Sequence, residues 1–184
     1  MELKNPSLED VLAYENRDVV YRFRKTYNLT HEQSADIFEQ VKKWMWLAHH
    51  RRLAGLETGL SIDIPIVVID EMWHNFVLFT KEYTAFCKDF FGYYVHHAPT
   101  TEAEELEHRN HLKSLNRVDR MQARKDRMRD QYEYIYDHLG KDTFVKWYLE
   151  YPKAFGYRRL AELQLEAVDA KMAEIQPQVQ AVAA

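Results

Sequence analysis

Hydrophobic residues recur along this chain at steps of three and four positions, the spacing that places them on one face of an α-helix. The clearest series is Ala35, Phe38, Val41, Met45 and Ala48. Capping boxes, in which a Ser or Thr is followed three residues later by an acid or amide, mark the starts of several predicted helices. They begin at Ser7, Thr30 and Thr101. The pattern predicts an all-α fold.

A helical hairpin is predicted at about 65–91. The β-branched run at its start would also suit a buried strand. However, Pro65 fits the first turn of a helix, and Ile69 and Trp73 continue at helical spacing. Thr80 is expected to be the N-cap of the second helix, so that the chain turns there rather than continuing as one helix.

The third predicted feature is one long, highly charged helix at about 102–139. Its apolar positions are Leu115, Val118, Met121, Met128, Tyr132, Ile135 and Leu139. This stripe predicts that one face of the helix packs against the rest of the protein. We expect a single all-α domain over residues 1–160, followed by a helical or frayed tail at 161–184.

The net charge, the number of cysteines and the length of the apolar runs limit the classes of protein to which this chain can belong. The net charge of −4 gives no global reason to expect nucleic acid or an anionic membrane as a partner. One cysteine excludes an internal disulfide framework and a four-cysteine zinc module. With no signal peptide and no apolar run long enough to span a bilayer, the expectation is a cytoplasmic protein without a membrane segment.

The segment 69–99 is the densest in side chains that bind metals or transfer protons. Asp70 and His74 lie one helical turn apart, so the carboxylate can orient the imidazole and leave its other nitrogen free as a ligand. The alternative is a partly buried histidine satisfied by Asp70. The neighbouring Trp73 is expected to point into the core.

Two further candidates follow in this segment. Cys87 lies on the second helix of the predicted hairpin, where it is either a ligand or a small buried hydrophobic residue. His96 and His97 alternate in direction if the backbone is extended, so one of them turns inward. The alternative is that both are surface histidines in a loop. His74, Cys87 and one of these histidines would form an N/S ligand set suited to zinc or iron. Asp70 as a fourth ligand would close the site.

Part of the chain resembles the glycine-rich domain-containing protein-like family. The matching positions are Asp70, Trp73 and His74, then Thr80, Tyr83 and Cys87, then Gly92 and His97. The chain lacks the glycine-rich region that names this family, and Asn75 stands where plant members often carry a small hydroxyl residue. The resemblance implies that His74, Cys87 and His97 act together, with His97 rather than His96 as the third ligand. It implies no particular reaction.

The long helix offers a different hypothesis. Residues 109–129 contain eight Lys or Arg and two Asp. The segment lacks aromatic residues and nucleic-acid motifs, so a solvated face or a protein partner at Arg117, Arg120 and Arg124 is favoured over nucleic acid. On the same helix, the spacing of His108 and His111 can chelate a metal, although a solvated charged face explains it more simply.

Two function classes therefore remain open from the sequence. The first is a metal-binding protein, in the form of a small accessory or tailoring enzyme, with its site at His74, Cys87 and His97 and with Asp70 and Trp73 around it. The second is a non-catalytic interaction module in which these residues are structural and the basic helix binds a partner.

Overall fold

A computed structural model describes residues 3–56 and 59–182, with side chains as far as residue 176. The helices in chain order are α1 (Leu8–Leu12), α2 (Arg17–Tyr27), α3 (His31–Leu53), α4 (Val67–Val77), α5 (Thr80–Phe90), α6 (Glu102–Ser114), α7 (Arg117–Val145), α8 (Tyr151–Phe155) and α9 (Tyr157–Val182). A 3₁₀ turn at Ile64–Ile66 precedes α4, and a π-helical turn at Lys146–Glu150 precedes α8. These described residues contain no strand, which confirms the predicted all-α class.

The chain divides into two compact units. One unit comprises residues 1–94 together with residues 145–184, and the other comprises residues 95–144. The sequence prediction placed its boundary at residue 160, which lies inside α9, where Leu160 and Leu163 are both buried. Within the described part of the chain, no helix has the length and apolar character needed to cross a membrane.

The predicted capping boxes are present. Ser7, Thr30 and Thr101 each accept a hydrogen bond from the backbone N–H three residues later, and the residue there accepts one from the N-cap backbone in return. Each box satisfies backbone donors that the first turn of a helix leaves unpaired. Local sequence therefore determines where α1, α3 and α6 begin.

Helix α3 lies at the centre of the first unit and packs against α1, α2 and α4. The apolar face predicted for it is buried at Phe38, Val41 and Met45. Trp44, also buried on α3, packs against Trp147 of the π-helical turn with ring centroids 5.7 Å apart. Burial of these large side chains contributes to the hydrophobic stabilisation of this unit.

Polar contacts from α3 fix the position of the π-helical turn. Gln40 Oε1 accepts a 3.0 Å hydrogen bond from Trp147 Nε1. Asp36 accepts bonds from Lys146 Nζ at 2.6 Å and from the Tyr151 hydroxyl at 3.0 Å. Because Trp147 makes both the apolar contact with Trp44 and the hydrogen bond to Gln40, the turn is held both in position and in orientation.

The predicted hairpin consists of α4 and α5, which are two separate helices. The predicted N-cap was wrong, however. Phe79 occupies the N-cap position without a side-chain hydrogen bond, and Thr80 is the first helical residue. The chain turns because Leu78 and Phe79 leave the helix, while the N–H of Phe79 still bonds to the Phe76 carbonyl. Thr80 therefore does not cause the break.

The prediction of one long helix at 102–139 was also wrong. α6 ends at Ser114, and Leu115 has extended backbone angles (φ −86°, ψ 145°). Asn116 then caps α7, because its Oδ1 accepts a 2.9 Å bond from the Asp119 N–H. A polar cap inside a charged stretch ends one helix and begins the next.

The apolar stripe predicted on that long helix is only partly buried. Ile135 is buried, but Val118 is 73% exposed and Met121 is 51% exposed. Further along α7, Gly140 adopts φ 79°, which interrupts the helix close to the predicted end at 139. The first half of α7 therefore presents apolar side chains to solvent instead of packing them.

His49 of α3 is a buried residue that holds the N-terminal segment. Its Nε2 donates a 2.6 Å hydrogen bond to the Lys4 carbonyl, and its Nδ1 lies 3.4 Å from the Tyr93 hydroxyl. Its ring packs 4.8 Å from the Phe91 ring. Burial lowers the pKa of His49 below its usual value, and the nearby Arg52 lowers it further. The neutral imidazole is therefore the form that the folded protein prefers.

The two threonines at helix starts are predicted to differ in their contribution to stability. Thr30→Ala removes a side-chain cap and should lower the free energy of unfolding by about 1 kcal/mol. Thr80→Ala removes no cap and should change it by less than about 0.5 kcal/mol. Urea denaturation of both variants measures the difference, and equal losses would contradict the assignment of Phe79 as the N-cap.

His49 is predicted to make stability depend on pH. Because its pKa is lower in the folded chain, the unfolded chain binds the proton more readily as pH falls below the usual histidine value of about 6.5. Stability should be fully present above that pH and decline below it. His49→Gln can keep the bond to Lys4 but does not titrate, so its urea midpoint should fall less between pH 7.5 and about 5.5. Parallel pH profiles for the two proteins would contradict this.

Candidate functional site

Helix α4 carries the residues of the predicted site. Most of its surface is buried, through Val67, Val68, Ile69, Met72, Trp73, Asn75 and Phe76. The polar positions left outside this buried surface are Asp70, Glu71 and His74. The helix therefore holds two carboxylates and an imidazole in fixed places along one side of a short, well-packed element.

Asp70 and His74 lie together as the helical spacing predicted. His74 Nδ1 is 3.9 Å from Asp70 Oδ2, and the two side chains are 55% and 30% exposed, respectively. The distance exceeds that of a hydrogen bond. His74 is thus an accessible imidazole beside a carboxylate, more exposed than the partly buried histidine of the alternative prediction.

Cys87 has a different environment. It is fully buried on α5, and Tyr83, one turn earlier, is buried as well. The Tyr83 hydroxyl accepts a 2.9 Å bond from Trp73 Nε1. Burial raises the pKa of Tyr83 far above its usual value, and the neighbouring Cys87 raises it further. Trp73, Tyr83 and Cys87 thus form a connected group in the core.

The structure does not bring Cys87 together with the α4 pair. Among the described residues, no group of three His, Cys, Asp or Glu ligand atoms within 4.8 Å of one another includes Cys87. Cys87 therefore lies outside such a group and is buried beside Tyr83, and its role as a ligand with His74 stays a prediction.

The histidine doublet lies in the second unit, in a segment without regular secondary structure. His96 is exposed and His97 is half-buried, a difference that fits the expected alternation of an extended backbone. The basic residues Arg117, Arg120 and Arg124 are all exposed on α7 of the same unit.

Sequence reasoning missed the polar residues that join α4 to α2. The Tyr27 hydroxyl donates a 2.6 Å bond to Glu71 Oε2. Burial raises the pKa of Tyr27 well above its usual value, and the bond to Glu71 raises it further. The phenol therefore stays protonated and remains a donor. Since the partners are distant in sequence, no local pattern reveals them.

Asn75 makes the second connection to α2. Its Nδ2 donates a 2.9 Å bond to the Val19 carbonyl, and its Oδ1 accepts a bond from Arg22 Nη1. Asn75 is only 3% exposed, so both bonds are largely shielded from water. These contacts fix the rotation of α4 about its axis, and that rotation sets the direction in which Asp70 and His74 face.

Comparison with known proteins gives one match. Residues 12–135 match the model of the UCP032817-like family. Searches of curated proteins and of solved structures found no match. The resemblance to the glycine-rich domain-containing protein-like family was wrong, because the model that matches is that of a different family. The residues that suggested it include Trp73, Tyr83 and Cys87, which the helical core itself requires, so the pattern was not specific.

Asn75 is predicted to contribute more to the stability of the protein than the exposed Asn110. Asn75→Ala leaves the Val19 carbonyl without its donor in a buried place, so the free energy of unfolding should fall by about 1–3 kcal/mol. Asn110→Ala, at an exposed position on α6, should change it by less than about 0.5 kcal/mol. Thermal and urea denaturation test this, and equal effects would show that Asn75 does not hold α4 to α2.

Proposed function

The chain belongs to the UCP032817-like family, and from the side chains of α4 we propose that it binds a divalent transition metal, zinc or iron(II), through Asp70 and His74. The observation that carries this proposal is the accessible pair, held by a helix that is otherwise buried. The family name states no reaction, so the chemistry is argued from these residues.

The separation of the pair supports a role for both residues as ligands. Metal–ligand distances of 2.0–2.2 Å in a tetrahedral zinc site place two ligand atoms about 3.4 Å apart. Nδ1 and Oδ2 are 3.9 Å apart, so a small movement of either side chain lets both bind one ion. The sequence assigned Asp70 to orienting His74; the absence of a hydrogen bond between them favours direct binding by the carboxylate.

The sequence prediction adds His97 as a further ligand. Two histidines and one carboxylate form a ligand set that non-haem iron(II) enzymes use and that zinc accepts. Such a set leaves coordination positions open for water or substrate, as catalytic sites require. We therefore propose a small accessory or tailoring enzyme rather than a structural metal site. Cys87 is not part of the proposed set.

The proposed location is the cytoplasm. A chain with a single cysteine, here the buried Cys87, cannot form an internal disulfide. This fits a reducing compartment.

A second candidate function is a protein-interaction module that uses α7. The observation in its favour is that Val118 and Met121 are exposed beside Arg117, Arg120 and Arg124, so that an apolar and a basic surface adjoin. Such a surface suits an acidic partner with some apolar area. Under this function His74 contributes no ligand, and charge reversal at Arg120 would weaken partner binding without affecting metal content.

The metal content of the protein is predicted to depend on His74 and His97. Protein purified without a His tag and supplied with zinc or iron(II) should contain close to one ion per chain. His74→Ala and His97→Ala should lose it, while His108→Ala, at an exposed histidine on α6, should keep it. Elemental analysis and calorimetric titration measure this. If the wild-type protein binds neither zinc nor iron(II), the metal-binding function is contradicted and the protein-interaction module is the remaining candidate.

Asp70→Asn separates a ligand role from a structural role. We expect it to weaken metal affinity by at least about 10-fold, because the carboxylate charge is lost, while the melting temperature of the metal-free protein changes little. A variant that loses stability but keeps its metal affinity would contradict the role proposed for Asp70. Cys87→Ser should leave metal affinity unchanged, and a loss there would restore Cys87 to the ligand set.

A further inference from the structure

An open groove of about 1160 Å³ runs between α2 and α9 and reaches the first turn of α3. All of its walls belong to the first unit, and none of the residues of the proposed metal site lines it. On the α2 side the lining includes Tyr21 and Arg24, and on the α9 side it includes Ala167, Val168 and Lys171. The groove is therefore a separate candidate for binding.

Exposed apolar side chains lie on both sides of this groove. Tyr21 on α2 and Val168 on α9 are each 56% exposed. Leu165 and Met172, on α9 one turn to either side of Val168, are 65% and 61% exposed. Only Tyr21 and Val168 of these four line the groove, and Leu165 and Met172 continue the exposed apolar surface of α9 beyond it. Single exposed apolar residues are ordinary, but several that adjoin a groove indicate a site for an apolar partner surface.

The charge of the groove is opposite to that of the whole chain. The lining contains four Lys or Arg residues, Arg22, Arg24, Lys25 and Lys171, and two acidic residues, Glu32 and Glu174. The chain as a whole has a net charge of −4. A local excess of positive charge on a negatively charged protein favours an acidic ligand at this place.

The floor of the groove is held in place by the polar contacts that join α2 to α4. Arg22 lines the groove and donates a hydrogen bond to Asn75 Oδ1. Gln164 lines it from α9. Tyr27 of α2 donates a hydrogen bond to Glu71 of α4, which joins the same two helices. A floor held by buried hydrogen bonds keeps its shape before a ligand arrives, which reduces the entropic cost of binding.

We propose that this groove binds an acidic amphipathic helix of a protein partner. The lining on α9 extends from Gln164 to Glu174, a length of about 15 Å at 1.5 Å per residue, which suits a partner helix of about ten residues. The apolar face of that helix packs on Tyr21 and Val168. Its glutamates or aspartates face Arg24 and Lys25.

A protein helix fits this groove better than the other acidic ligands. Glu32 and Glu174 lie within the lining and would repel the continuous phosphate backbone of a nucleic acid. Among the described lining residues, only the rings of Tyr21 and His31 could stack on a base, and the lining contains no Phe or Trp. Helix-in-groove recognition combines an apolar face with charges at its edges, as this lining does.

The test uses the full chain and a fluorescein-labelled helical peptide of about twelve residues, with leucines along one face and glutamates along the other. Fluorescence anisotropy should show binding that weakens as salt is raised. Arg24→Glu and Val168→Glu should each weaken it by about tenfold or more. Both positions are at the surface of the groove. Circular dichroism is used to check that the two variants fold.

Three controls decide between the alternatives. A peptide with lysines in place of the glutamates should bind far more weakly, and equal binding would overturn the proposal by showing that charge is not recognised. Arg120→Glu on α7 should leave binding unchanged, and a loss there with none at Arg24 would move the site to the basic helix. Preferential binding of a single-stranded oligonucleotide, lost in Arg24→Glu, would also overturn it. Metal content is measured in the same samples, so this test and the test of the metal site fail independently.

Discussion

The burial of α4 is the constraint on which the rest of the proposed site depends. This short helix packs seven of its residues into the core, including Trp73 and Phe76, so little of its surface can carry polar side chains. A helix packed on so much of its surface cannot rotate or shift without exposing large apolar side chains. Asp70 and His74 therefore owe their fixed position to their apolar neighbours rather than to each other.

Polar contacts between α2 and α4 complete the positioning of α4 by the apolar packing. Hydrophobic burial has no preferred direction, so it restricts the rotation of α4 about its axis but does not define the exact angle. The bonds from Glu71 to Tyr27 and from Asn75 to Val19 and Arg22 supply that direction. One of these residues, Arg22, also lines the groove between α2 and α9. The hydrogen bonds between α2 and α4 thus support both the face of α4 proposed to bind a metal and one wall of the groove.

The two proposed sites suit different ligands because their charges differ. Around α4 the accessible groups are two carboxylates and an imidazole, which attract a cation. The groove has an excess of Lys and Arg together with exposed apolar residues, which suits an acidic protein surface. A protein that binds a metal at one place and a partner helix at another would combine the two function classes that the sequence left open.

Local sequence determined the all-α fold, the capping boxes at Ser7, Thr30 and Thr101, and the shared face of Asp70 and His74, because each depends on residues three or four positions apart. It did not reveal that Phe79 rather than Thr80 occupies the cap, or that Asn116 divides the long helix, since several residues in each stretch could end a helix equally well. The burial of Cys87 beside Tyr83 and the bonds of Asn75 to α2 were decided only by tertiary structure. Their partners come from different helices, and a contact between distant segments leaves no periodic signal in the sequence.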